Sequence, residues 1–125
     1  MLRFLFQSLL NFSDCQEALG MEDYGIPNEQ VRASSELSSN HAAIQGRLHY
    51  KPPSGKQGAW SAKENDKNQW LQIDLGSVFT RVTGVATQGG YNYNQWVITY
   101  KLQYSKDGST FTSYKDPEQA SDKVK

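Results

Sequence analysis

The chain has 125 residues, enough for one domain with a single core and too few for two comfortable ones. Its 13 Lys and Arg balance 13 Asp and Glu, and the basic residues are scattered along the chain, which argues against nucleic-acid binding driven by phosphate neutralisation. The 12% aromatic content, with 7 Tyr and 3 Trp, suits strands and contact surfaces better than disorder, and no apolar run reaches the roughly 20 residues that a bilayer-spanning helix needs.

Residues 1–14 form an N-terminal segment. Met1-Leu2-Arg3 followed by Phe4-Leu5-Phe6 has the basic start and apolar stretch of a secretory signal, but Gln7 and Ser8 interrupt it and no Ala-x-Ala-like site follows. The remnant of a signal and a truncated start both fit. Asn11-Phe12-Ser13 is a glycosylation sequon, which matters only if the chain is secreted. Cys15 is the only cysteine, unremarkable in a cytosolic protein and an orphan in a secreted one.

Residues 19–28 are dense in turn formers, and Gly25 with the Ile26-Pro27 step argues against a helix. Val31 to Ser35 reads as a short strand, residues 38–43 as a loop or a single helical turn, and the stretch from Gly46 to Gly58, with Pro52, Pro53 and Gly55, as a loop. Gln69 to Gly76 alternates strictly. Leu71, Ile73 and Leu75 share one face, Trp70, Gln72 and Asp74 the other. Because an unpaired buried carboxylate costs several kcal/mol, that second face must meet solvent or hydrogen-bond partners. Arg47 and Arg32 are candidates to pair with an inward Asp74; an exposed Asp74 needs neither. Arg81 to Gln88 is a further strand expectation. So is Trp96 to Ser105, in which Trp96, Ile98, Tyr100, Leu102 and Tyr104 share the parity expected to face the core. Lys106-Asp107-Gly108-Ser109 supplies turn chemistry, and Phe111 to Lys115 returns as the hairpin partner. Helical periodicity is absent, so the pattern is all-β.

Catalysis has little to stand on. His41 lies in a Ser/Asn-rich loop and His49 beside Tyr50, and neither has an acid or nucleophile at a meaningful spacing. A zinc site needs clustered Cys and His that the chain lacks, and Gly89-Gly90 is followed by Tyr91-Asn92-Tyr93-Asn94, not by the Gly-Lys-Ser/Thr of a phosphate loop. No metal and no cofactor is expected. The Tyr91 to Asn94 connection is nevertheless the best functional candidate, because it sets two phenols and two amides at a loop tip on a rigid scaffold, a composition suited to a sugar face or a protein groove. The bland alternative is that one tyrosine packs down and the rest is solvated turn.

Taken together, Cys15, Leu19-Gly20-Met21-Glu22, Ala33-Ser34-Ser35, Arg47-Leu48, Gly58-Ala59-Trp60, Asn65-Asp66, Gln69 to Gly76, Val82 to Gly89, Trp96-Val97 and Tyr104 to Gly108 resemble the discoidin domain, also called the coagulation factor V/VIII type C domain. The resemblance runs in order from Cys15 to about Tyr114. It implies a jelly-roll β-sandwich of the galactose-binding-like kind, occupying residues 15–125, whose loops at one end act as binding spikes: Glu36 to Gln45, His49 to Gln57 and Gly89 to Gln95. It implies a non-catalytic, extracellular adhesion module.

On this resemblance the expected ligand residues are Tyr91, Asn92, Tyr93, Asn94, Asn40, His41 and Tyr50. Those expected to be structural are Cys15, Trp60, Trp70, Asp74, Arg47 and Trp96, and Asn11 becomes reachable by glycosylation. The expected partner is a cell-surface or matrix protein or a glycan. A phosphatidylserine membrane is the runner-up, because relatives that insert into membranes carry bulky apolar spike tips and Ser39, Asn40, His41 and Ala42 offer none. A carbohydrate-binding accessory module of an enzyme is a distant third. The family pattern also runs on through further strands to a cysteine that bridges the one matching Cys15, so the chain is expected to be a fragment, lacking the last strands and without a stable cooperative fold alone.

Overall fold

A computed structural model describes residues 2–3, 17–76 and 80–115. Asn11, Cys15 and most of the N-terminal segment lie outside the described residues. Five short strands, β1 (Leu2–Arg3), β2 (Val31–Ala33), β3 (Leu71–Ile73), β4 (Leu102–Tyr104) and β5 (Thr112–Ser113), make one sheet in the order β2-β3-β1-β4-β5. β2 runs antiparallel to β3 and β4 antiparallel to β5, while β1 is parallel to both of its neighbours. Two 3-10 turns, Asn28–Gln30 and Ala43–Gly46, are the only helical elements among the described residues.

The alternation around residue 72 sets the core. With Val31 opposite Ile73 and Ala33 opposite Leu71, one face of the β2–β3 pair turns inward. Val31, Leu71 and Ile73 are buried there with Ile26 and Ala43, and Met21, Ile44, Trp60 and Leu75 pack against them. Each fully buried aliphatic side chain contributes about 1.5–3 kcal/mol.

The polar residues beside this pair are explained by a hydrogen-bond lock. Ser34 and Ser35 each donate a hydroxyl to Gln69 Oε1 at 2.7 Å, and Gln69 Nε2 donates to Asp66 Oδ1 at 3.0 Å. The Ser34 N–H donates to the Trp70 carbonyl at 3.0 Å, and the Trp70 N–H donates to Ser34 Oγ at 3.0 Å. Trp60 Nε1 donates to the Ser35 carbonyl at 2.8 Å, so the half-buried indole keeps its one donor satisfied.

Three points raised by the sequence are decided. First, of the two readings of Asp74 the exposed one holds: its Oδ1 accepts the Gly76 N–H at 2.8 Å, capping the turn where Gly76 takes a left-handed φ of 70°. Arg47 instead is 2% exposed. Its guanidinium donates to the Ile26 carbonyl at 2.7 Å, Asn28 Oδ1 at 2.8 Å and the Met21 carbonyl at 3.3 Å, and it stacks 4.4 Å from the Tyr24 ring centroid. The short Ser34-to-Gln69 links occupy the polar side of the sheet, while the lead-in at 20–28 offers carbonyls that only a forked cation fills together.

Second, residues 80–90 form no strand, although Val82 is buried at 4% exposure. Third, the strand expected over 96–105 is confined to Leu102–Tyr104. Trp96 and Ile98, expected in the core, are 67% and 77% exposed. The alternation is present, but among the described residues 96–101 join no strand ladder, and a face without a ladder is not held against the core. Between the inner face of β3 and the 82–100 stretch lies an apolar cavity of about 490 Å³, lined by Leu71 and Ile73 on one side and by Val82, Val85 and Val97 on the other.

Candidate functional site

Three loops gather at one end of the sheet, and their backbones are joined. In the first loop (36–45), Glu36 Oε1 accepts the Ala43 N–H at 2.7 Å, which closes the loop across seven residues. Within it, Asn40 N–H donates to Ser38 Oγ at 3.2 Å, and Ser38 Oγ lies 2.9 Å from His41 Nδ1. This serine–histidine contact spans three residues of one turn and has no acid behind it, so it serves the turn.

The second loop (49–57) is fastened to the first. Gln57 N–H donates to the Asn40 carbonyl at 3.0 Å, Lys56 Nζ to the Ser39 carbonyl at 3.1 Å, and the Ser61 N–H to the His41 carbonyl at 3.3 Å. Beneath them Gln45, 2% exposed, donates from Nε2 to the same Ser39 carbonyl at 3.2 Å. Its root is held by His49, whose left-handed φ of 52° turns the chain. The His49 N–H donates to Gln88 Oε1 at 2.9 Å, and His49 Nδ1 meets Glu22 Oε1 at 2.9 Å across an exposed contact. Arg47 stands two residues earlier, so the buried cation and this histidine together fix where the second loop leaves the core.

The third loop (89–95) docks through glycine. Gly58 and Tyr91 form an antiparallel bridge in which the Tyr91 N–H donates to the Gly58 carbonyl at 3.3 Å. A Cβ on Gly58 would overlap the Tyr91 Cβ, so the approach requires glycine. The loop closes on itself through Gly90 N–H to the Gln95 carbonyl at 2.9 Å and Gln95 N–H to the Tyr93 carbonyl at 3.0 Å, with Asn92 at a left-handed φ of 64°.

The fold therefore brings Asn40, His41 and Tyr91 to one cluster, with Tyr50 half-buried at its base, where its carbonyl faces Gly58. Tyr91 is 41% exposed. Asn92 and Asn94 are exposed beside it. Tyr93 behaves differently: its ring covers Gly90 and its hydroxyl is buried, so this tyrosine packs down and shapes the loop. Lys56, Gln57 and Gly58 belong to the same cluster and were not singled out in the sequence as site residues. Gly58, the only glycine between Gly55 and Gly76, was the available signal. Among the described residues no cluster of three His, Cys, Asp or Glu is placed to hold a metal ion, and no helix is long and apolar enough to cross a membrane.

A β-scaffold with its polar and aromatic loops collected at one end defines a class of recognition domain. The model of the F5/8 type C domain matches residues 30–125, and the chain belongs to that family, whose fold is the galactose-binding-like β-sandwich. It is 42% identical to lactadherin of Bos taurus over 115 residues, covering 88% of this chain and 27% of the relative. It is also 42% identical over 117 residues to EGF-like repeat and discoidin I-like domain-containing protein 3 of Homo sapiens, covering 90% of this chain and 24% of the relative. Neuropilin-1 of Homo sapiens is 38% identical over 106 residues, which cover 82% of this chain and 11% of the relative. The chain thus spans about a quarter of the length of the first two relatives. Domains of this family are extracellular binding modules.

Proposed function

We propose that this chain is a non-catalytic, extracellular adhesion module that holds a cell-surface or matrix protein or a glycan at the three loops, with Tyr91, Asn92, Asn94, Asn40 and His41 in contact. The observation that carries the reading is the joining of the loops: backbone bonds from Gln57 to Asn40 and from Tyr91 to Gly58 make one surface of three separate segments. A surface fixed before binding loses less entropy when a ligand arrives. The exposed Tyr91 supplies amphipathic contact area at low rotamer cost, and the neighbouring amides supply hydrogen bonds of both signs.

A second reading, peripheral binding to phosphatidylserine membranes, draws support from the exposed run Trp96, Val97 and Ile98, which follows the third loop directly. Against it stand the polar tips of the first loop. Binding to a glycan array and to immobilised matrix proteins, with and without Tyr91→Ala, tests the first reading. The expected result is loss of the captured ligand by the variant with an unchanged circular-dichroism spectrum. Sedimentation with phosphatidylserine vesicles, undiminished by Tyr91→Ala and abolished by Trp96→Ala, would transfer the function to the second.

A further inference from the structure

Strand β1 is two residues long, yet among the described residues it is the strand that joins the two antiparallel pairs of the sheet, β2 with β3 on one side and β4 with β5 on the other. Leu2 stands opposite both Leu71 and Leu102, and Arg3 opposite both Gln72 and Gln103. Residues at equal register positions of paired strands belong to one face of a sheet. Leu2 therefore takes the parity of Leu71 and Leu102, which are 4% and 7% exposed, and Arg3 takes the parity of the two glutamines. A ladder of two residues is too short to hold a central strand by itself.

Residues 4–16 lie outside the described residues, but their sequence bears on what continues β1. Leu2, Phe4 and Phe6 alternate with Arg3, Leu5 and Gln7. The parallel register, carried forward one residue at a time, brings position 4 alongside Ile73 and position 6 alongside Leu75. Leu71, Ile73 and Leu75 line the β3 side of the apolar cavity of about 490 Å³, and Val82, Val85 and Val97 line the other. Packed interiors keep few voids larger than a water molecule, and one phenylalanine buries about 150–250 Å². Read as a strand, the run that resembles the apolar stretch of a secretory signal has one wholly apolar parity, and it is the parity of the cavity wall.

We propose that residues 2–6 act as one strand and that this chain's own Phe4 and Phe6 occupy the cavity, covering the inner face of β3 from within the molecule. The cavity is then a docking groove for the N-terminal segment. Two arguments favour this occupant over an apolar ligand or a second copy of the chain. β1 enters the sheet beside the groove, in the register that carries the next apolar positions along Ile73 and Leu75. A segment delivered by the same chain also acts at a high effective concentration, which a separate molecule must overcome. The inference is independent of the three loops and of what they bind.

The test is NMR and chemical denaturation of the full chain. With phenylalanine rings and valine methyls labelled, nuclear Overhauser contacts should join Phe4 and Phe6 to Val82, Val85 or Val97. Their absence would overturn the proposal. Contacts found only between differently labelled chains in a mixed sample would put a second copy in the groove and overturn it as well. Phe4→Asp with Phe6→Asp should shift the unfolding equilibrium by roughly a hundredfold or more toward the unfolded chain. Leu5→Asp with Gln7→Asp, the same change in charge on the opposite parity, should shift it by less than about tenfold. A first pair that does not fold at all, beside a second that does, is the expected contrast at its extreme. Phe4→Leu with Phe6→Leu, which keeps the parity apolar, should recover most of the loss. Equal shifts from the two aspartate pairs, or a leucine pair as damaging as the aspartates it replaces, would show that the cavity does not hold these rings.

Discussion

Residues 69–76 and residues 96–101 carry the same kind of alternation, and the protein treats them in opposite ways. In the first, Leu71 and Ile73 are 4% and 6% exposed and paired with β2. In the second, Trp96, Val97 and Ile98 are 67%, 63% and 77% exposed and make no strand. The difference lies in what flanks them. The first run is met by Ser34 and Ser35, whose hydroxyls converge on Gln69, and by Gln30, whose carbonyl accepts the Asp74 N–H at 2.8 Å and whose Nε2 donates to the Asp74 carbonyl at 2.9 Å. Period-two hydrophobicity proposes a face, but a partnered backbone is what holds it in place.

The comparison breaks most visibly under truncation. Leu71→Ala should cost about 3 kcal/mol, since it removes a buried side chain from the core cluster and leaves a cavity beside Ile73. Ile98→Ala should cost less than about 0.5 kcal/mol, because its side chain is already in water. Chemical denaturation of the two variants measures both; comparable losses would mean that 96–101 is ordered as tightly as β3. Next in size is Arg47. Arg47→Met keeps the bulk but leaves the Ile26 and Met21 carbonyls and Asn28 Oδ1 without their donor, at about 2 kcal/mol. Arg47→Lys should recover only part of this, for an ammonium cannot reach three divergent oxygens and stack on Tyr24 together. Hydrogen exchange should show the loosening first at residues 20–28 and at the root of the second loop. Full rescue by lysine would show that charge alone is what the site needs.

Much of the scaffold was legible because local rules and tertiary context agree there. The alternation of 69–76, the breaker-rich 46–58 loop and the Asp-Gly turn after β4 each follow from backbone preference, and the structure keeps them. What was not legible depended on partners far away in sequence. Nothing near Arg47 marks the carbonyls of Met21 and Ile26 as its acceptors, and the alternation alone leaves Asp74 open between pairing with an arginine and facing solvent. Tyr91 and Tyr93 look equivalent in sequence; only the closing bonds of the 90–95 loop turn one outward and the other onto Gly90. The involvement of Lys56 and Gly58 depended on loop packing.

The smallest expected effect falls at the hairpin joining β4 and β5, where Asp107 resembles Asp74 in sequence and in its role as a turn cap, and is bound more heavily. Asp107 Oδ1 accepts the Thr110 N–H at 2.8 Å, the Ser109 N–H at 2.8 Å and the Ser105 hydroxyl at 2.8 Å. These three donors, the two amides foremost, hold its carboxyl well below the usual carboxylate range. A depressed folded value means that the contribution of this group is fully present above the unfolded value of about 3.9 and is lost only as pH falls through the lower folded one. The turn should therefore stay closed at mildly acidic pH and open only under stronger acid. Carboxyl carbon titration by NMR should place the Asp107 midpoint below the ordinary value, with the Ser109 and Thr110 amide shifts moving at the same midpoint. Amide shifts that move near the ordinary value, or an Asp107→Asn variant with unchanged amide protection at neutral pH, would show that backbone pairing of β4 with β5 closes the hairpin unaided.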